Sequence, residues 1–123
     1  MFVTDHNPHI VDIHTMHDAR QAILNIGSDP HSIDIMAPKA VLKVIKLEHV
    51  VLQDAIIIKQ DMLSLGGEVA VPQKTFELHE KTGDILIMGT LAQLQTLVEK
   101  LKRHYPRLRT IADEIDQVVK DVR

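Results

Sequence analysis

Histidine, lysine and two glycine-bearing turns are the residues of this chain whose types and spacing could do chemistry, and each also has a plainer structural reading. Histidine comes first, because there are eight of them and no cysteine. His6 and His9, then His14 and His17, stand three apart, a spacing that can bring two imidazoles to one metal ion where the intervening backbone is ordered. The first pair falls in a stretch without periodicity, and no carboxylate-flanked helical motif accompanies either pair. His14 and His17 are therefore the metal-ligand candidates that remain, and the expectation is that they hold none. His31, His49, His79 and His104 are scattered and carry no spacing signal. The lack of cysteine removes thiolate metal sites, a disulfide framework and a cysteine nucleophile.

Lys59 interrupts an apolar helical arc between Ala55 and Leu52 on the wheel. Its stem can lie along apolar surface with the ammonium at the water boundary, or the ammonium can meet a partner or a ligand; the snorkelling stem is the preferred reading. Ile57 is its converse, an apolar residue in the middle of the polar face. Gly66-Gly67 does not make a phosphate cradle, since that needs glycines after a strand and before a helix, and here the order is reversed. Gly89-Thr90 follows an apolar run and opens a helix, which suits an anion better, although Thr90 is read first as a cap. Lys59, Gln60, Gly89 and Thr90 are thus the candidates for contact with a small anion. Lys100, Lys102, Arg103, Arg107 and Arg109 form a basic cluster, read as a solvated face. No serine-histidine-acid or paired-carboxylate arrangement assembles with any specificity, so no catalytic residue is assigned.

Composition bounds the rest. A length of 123 residues with 45% hydrophobic residues fits one domain with a real core, with residues 1–8 a flexible tail and 9–123 the domain. A formal charge of −3 gives no basic footprint, and Phe2, Phe76 and Tyr105 are too few for a base-stacking platform. Nucleic acid is excluded as a first guess. No apolar run is long enough to span a bilayer and the N-terminus lacks the pattern of a signal peptide, so a soluble cytoplasmic protein without a membrane partner is expected.

The elements that must position these residues centre on 52–71. Leu52, Ala55, Ile56, Ile58, Met62, Leu63 and Leu65 share one arc, with Gln53, Asp54, Gln60, Asp61 and Ser64 opposite, which is a core-facing helix. Gly66 ends it at the left-handed position, and Gly67 frees the chain for a strand at Val69-Ala70-Val71. Before it, His9 to His14 alternates as a short strand, Thr15 caps a helix from Met16 to Ile26 with stripe Ala19, Ala22, Ile23 and Ile26, and Gly27 ends that helix. Asp29-Pro30 can cap one helical turn. Pro38 is placed at the start of a helix reaching Leu47 with Lys39, Lys43 and Lys46 outward; a strand in this stretch ending at 47–51 is the competing assignment, so that 38–48 can be helix or strand. Beyond Pro72, Phe76 and Leu78 allow an edge strand, Lys81 to Asp84 is turn chemistry, and Ile85-Leu86-Ile87-Met88 reads as a strand buried on both faces. Thr90 and Gln93 form a capping box for a helix from Leu91 to Tyr105, which Pro106 ends; a last helix runs from Leu108 to Val122 as a packing element or connector. The fold class is α/β (α+β), a small sheet of three or four short strands packed by four or five helices.

Several stretches together resemble the amino-terminal extension that precedes the catalytic barrel in a subset of bacterial dihydropteroate synthases. They are Asp29-Pro30 with Ile35 to Ala40, Ile45 to Glu48, Ile58 to Val71 including Lys-Gln-Asp-Met-Leu-Ser-Leu-Gly-Gly, and Asp84 to Leu91. The barrel's asparagine-valine-threonine-proline-aspartate-serine-phenylalanine loop and its pterin-binding aspartate pattern do not occur, so the resemblance carries no catalytic residue to this chain. It implies a folate-pathway context and an accessory module that docks on a dihydropteroate synthase barrel or self-associates, with no cofactor of its own. In that setting the helix at 108–122 would lead into the barrel. A free-standing domain that binds a pterin or another anion is the alternative, and a self-contained enzyme is the third reading.

Overall fold

The computed structural model describes residues 5–75 and 80–123. The strand expected at Phe76 and Leu78 lies outside the described residues. Among the described ones, five α-helices, one 3₁₀ turn and a three-stranded antiparallel sheet form a mixed α/β domain. His9 to His14 is not a strand; it runs without a ladder partner among the described residues, and Ile10 is 93% exposed. Alternation alone cannot make a strand where no sheet edge receives it. Helix α1, Met16–Ile26, begins as expected: the Thr15 hydroxyl accepts from Asp18 N–H, and the Asp18 carboxylate accepts from Thr15 N–H and His14 N–H. Those backbone donors, His14 first, hold the Asp18 carboxyl below the usual carboxylate range. Gly27 takes the left-handed conformation with φ of 82°. Met16 and Ala19 bear on the core, so the last turn projects, and Ile26 is exposed rather than part of the stripe. Asp29 caps α2, Pro30–Met36, and a 3₁₀ turn follows at Ala37–Lys39.

The helix expected from Pro38 to Leu47 is absent. Strand β1, Leu42–Val51, stands there, as the β-branched residues Val44, Ile45, Val50 and Val51 favour. In a strand the lysines at 43 and 46 point to opposite faces, so the ridge that suggested a helix dissolves. The strand passes directly into α3, Leu52–Ser64, then the left-handed Gly66 with φ of 88°, then β2, Glu68–Ala70. Gly67 is needed for close approach: a Cβ there would lie 2.9 Å from the Met88 carbonyl. Strand β3, Thr82–Thr90, is longer than expected and takes in Thr82 to Asp84, residues read as a turn. It lies in the middle, in the order β1-β3-β2, with both neighbours antiparallel to it. β1-α3-β2 is therefore a split β-α-β unit with β3 inserted between its strands.

The sheet is covered on one face. Ile45, Ile85, Ile87 and Val69 point into the core, whereas Leu42 and Val44 are 65% and 57% exposed and Leu86 is on their side. Ile85 to Met88 is thus buried on alternate positions, not on both faces. Thr90 and Gln93 close the expected capping box at α4, Leu91–Leu101. That helix stops before Tyr105, because Tyr105 adopts extended backbone and Pro106 supplies the first residue of α5, Pro106–Val119. Leu94, Leu97 and Leu101 of α4 and Leu108, Ala112, Ile115 and Val119 of α5 are all buried, and Val118 faces outward. Past α5 the Val122 carbonyl accepts from Met16 N–H at 3.2 Å, tying the end of the chain to α1.

Candidate functional site

The strongest constellation was not among the sequence candidates. Asp54, in the first turn of α3, is buried with its side chain 2% exposed. Its Oδ2 accepts from Arg107 Nε at 2.8 Å and its Oδ1 from the second Arg107 nitrogen at 2.9 Å; the Tyr105 hydroxyl donates to Oδ1 as well. The Arg107 guanidinium lies 5.0 Å from the centre of the Tyr105 ring. Burial pushes the Asp54 carboxyl up, but the Arg107 and Tyr105 hydrogen bonds and the guanidinium charge more than offset it and hold it below the usual carboxylate range. Burial and the adjoining carboxylate raise the Tyr105 phenol, and the hydrogen bonds to Asp54 raise Arg107. This is a fixed carboxylate with no role as a proton shuttle near neutral pH.

A cavity of about 270 Å³ opens beside it, between the end of β1, Asp54 and the outer side of α5. Its rim on β1 is a bulge. Leu47 pairs with Ile85 and Val50 with Gly83, so Glu48 and His49 together oppose Asp84 alone. His49 adopts φ of 54°, a left-handed conformation that costs a non-glycine residue energy, and its N–H is held by the Asp84 carboxylate at 3.1 Å.

The candidates read from sequence lie elsewhere and do not converge. The Lys59 ammonium donates to Glu68 Oε1 at 3.0 Å and to the Val69 carbonyl at 2.7 Å, so it anchors α3 to β2 with its side chain 24% exposed. The freely snorkelling stem is replaced by a paired one. Val69 N–H and Lys59 in turn hold the Glu68 carboxyl below the usual range. Gln60 is exposed, and Ile57 packs partly against the core instead of standing free. Gly89 and Thr90 lie against Met62, Leu65 and Gln93, where Gln93 Oε1 accepts from Thr90 N–H at 2.9 Å and Gln93 Nε2 donates to the Leu65 carbonyl at 3.1 Å. The helix end that could have received an anion is occupied by its own cap. His14 and His17 are exposed, and among the described residues no group of three or more histidine or carboxylate side chains is placed to hold a metal ion. The basic cluster is not simply a solvated face, since Lys100 reaches Ser64, Arg109 reaches the His104 carbonyl and Arg107 holds Asp54. No helix of the described residues is long and apolar enough to cross a membrane.

No family model and no solved structure matches the chain. Over 101 residues, 82% of its length, it is 28% identical to a bifunctional dihydropteroate synthase/dihydropteroate reductase of Helicobacter pylori. Over 93 residues, 73% of its length, it is 34% identical to a probable bifunctional folylpolyglutamate synthase/dihydropteroate synthase of Halobacterium salinarum. The chain is similar to part of these dihydropteroate synthase proteins. It spans only 27% of the first relative and 11% of the second. The similarity to dihydropteroate synthase proteins agrees with the resemblance carried by the Lys59–Gly67 run, and the residues of that run are now seen to build the α3–β2 junction.

Asp54, Tyr105 and Arg107 escaped the sequence reading for identifiable reasons. Asp54 falls on the polar arc of α3, Tyr105 extends the apolar stripe of α4, and Arg107 sits in a run of basic residues. The one local cue was Tyr105-Pro106-Arg107, where proline starts a helix and so sets the tyrosine and arginine just ahead of and within its first turn.

Proposed function

We propose that this chain is a folate-pathway module that works beside a dihydropteroate synthase and does not itself join a pterin to p-aminobenzoate. The observation that carries this is the match to two proteins whose names share dihydropteroate synthase, by a chain that lacks the synthase loop and aspartate motifs. The fold supports it, since a (β/α)₈ barrel needs eight parallel strands and about 200 residues or more, against a three-stranded antiparallel sheet among the described residues here. The surface suited to a synthase partner is the outer face of the sheet, where Leu42, Val44 and Leu86 form an exposed apolar patch. Co-expression with a dihydropteroate synthase barrel tests this: a complex on gel filtration that Val44→Glu abolishes supports it. A homodimer of the chain alone lost with Val44→Glu would assign the patch to self-association instead.

A second reading, that the module carries the reductase activity, is favoured by one specific observation. The Helicobacter relative is named for a reductase as well as a synthase, and the matched 101 residues are fewer than the about 200 or more of a whole barrel, which is compatible with this region serving the reductase. Reducing a dihydropterin C=N bond takes a hydride from a donor and a proton, so the assay offers dihydropteroate with reduced nicotinamide and reduced flavin in turn. Turnover to the tetrahydro product by the purified chain would establish it and displace the non-catalytic accessory role. An anion site at Lys59, Gln60, Gly89 and Thr90 draws less support, because the ammonium of Lys59 and the amide of Thr90 already have partners.

A further inference from the structure

We infer that the cavity between the β1 bulge and α5 binds a flat, neutral heterocycle through an amino and ring N–H edge, the aminopyrimidine chemistry that pterin and guanine share. Size comes first. A volume of about 270 Å³ lies just below the usual range of ligand pockets, about 300–1,000 Å³, enough for one bicyclic ring and not for a dinucleotide. Charge comes next. Among the described residues, Glu48, Glu114 and Asp54 line the cavity with Arg107 and the imidazole of His49, so carboxylates outnumber the one guanidinium, an anion is disfavoured and a hydrogen-bond donor is favoured. Asp54 is already bound by Arg107 and Tyr105, which leaves the exposed carboxylates of Glu48 and Glu114 as the acceptors for a ligand. A carboxylate receives adjacent N–H donors as a fork, in the way it receives arginine.

The remaining walls suit a ring. Val50 and Ile111 supply apolar surface, and Arg107 is held flat by its two bonds to Asp54, giving a fixed planar cation on which a heterocycle can stack. The bulge is the structural reason that Glu48 stands at this rim. Two residues opposite one break the in-and-out alternation of β1, and the left-handed His49, pinned by Asp84, fixes where the rim turns. Strain of this kind persists only where surrounding contacts enforce it.

The pterin arm of this inference rests on the folate-pathway reading, and the guanine arm does not. The test uses the full chain, with 6-hydroxymethylpterin followed by its fluorescence and guanosine by calorimetry. Saturable one-to-one binding of either is expected. The double variant Glu48→Gln/Glu114→Gln should weaken it by about tenfold or more with the melting temperature unchanged. Lumazine, which carries an oxo group where pterin carries the amino group, should bind correspondingly less, and Thr96→Val, at a different cavity beside Thr90 and Gln93, should change nothing. Binding of guanosine without pterin upholds the site and removes support from the folate reading. Failure of both ligands to saturate, or pterin binding that ignores the double variant, overturns the site; in the latter case the folate reading stands.

Discussion

Replacing Asp54 with asparagine removes a charge and almost no volume, so its cost isolates what the Asp54–Arg107–Tyr105 cluster contributes. The carboxylate accepts two hydrogen bonds from Arg107, at 2.8 and 2.9 Å, and one from Tyr105. Asparagine presents one oxygen and one N–H group, so at least one arginine donor meets another donor. Breaking a fully buried ion pair costs about 3–5 kcal/mol. Here only one partner is buried, with side-chain exposures of 2% for Asp54 and 55% for Arg107, so the guanidinium rehydrates and the loss falls to about 2–3 kcal/mol. The pH dependence adds a second signature. The Asp54 carboxyl is depressed in the folded state, so its stabilisation is complete above the unfolded value of about 3.9 and is lost as pH falls through the lower folded value. Wild type should therefore lose stability below about pH 4, and the gap to the variant should close there. Urea unfolding followed by far-ultraviolet circular dichroism at neutral and acidic pH reads both effects. A neutral-pH difference under about 0.5 kcal/mol, or a gap that stays constant into acid, would refute the reasoning.

Other substitutions read separate junctions. Gly66→Ala should cost about 1 kcal/mol or more, because φ is 88° and the new methyl would also press the Gln93 amide at 3.3 Å; a gain in thermal stability would show that α3 does not end there. Gly67→Ala should cost about 1–3 kcal/mol, and Met62→Ala in the same chain should not restore it, because the Met88 carbonyl obstructing the Cβ is backbone; full recovery in the double variant counts against this packing. Lys59→Met should lower stability by about 1 kcal/mol through loss of the Glu68 and Val69 bonds, while unchanged or higher stability in a melting series would return Lys59 to a snorkelling role.

Local rules made much of this fold legible. Thr15 with Asp18, Thr90 with Gln93, Gly27 and Gly66 act within four residues of themselves, and each sits where its cap chemistry requires. The segment after Pro38 misled because two periodicities were present at once: lysines at helical spacing and a run of β-branched residues. Pairing decided between them, since β3 offers β1 a ladder along most of its length. The same cause removed the strand at His9 to His14, whose alternation found no partner. The single covered face of the sheet was hidden for a related reason, because Leu86 is as apolar as its buried neighbours and only the layer order shows that no helix lies over it.

The candidate site was hard to read because none of its parts is unusual alone. Asp54 and Arg107 are 53 positions apart, and they meet only because α3 and α5 bring their first turns together. The bulge depends on one extra residue in β1 relative to β3, a count that exists only once the two strands are in register. A polar-arc aspartate would face water if β1 ran straight into solvent. Here the arginine beginning α5 closes over it, and the charge that sequence assigns to the surface becomes a buried anchor. That closure fixes Arg107 at the wall of the cavity, while Glu48 and Glu114 stand exposed at its rim. The same contacts that stabilise the α3–α5 junction therefore set the chemistry available to a ligand.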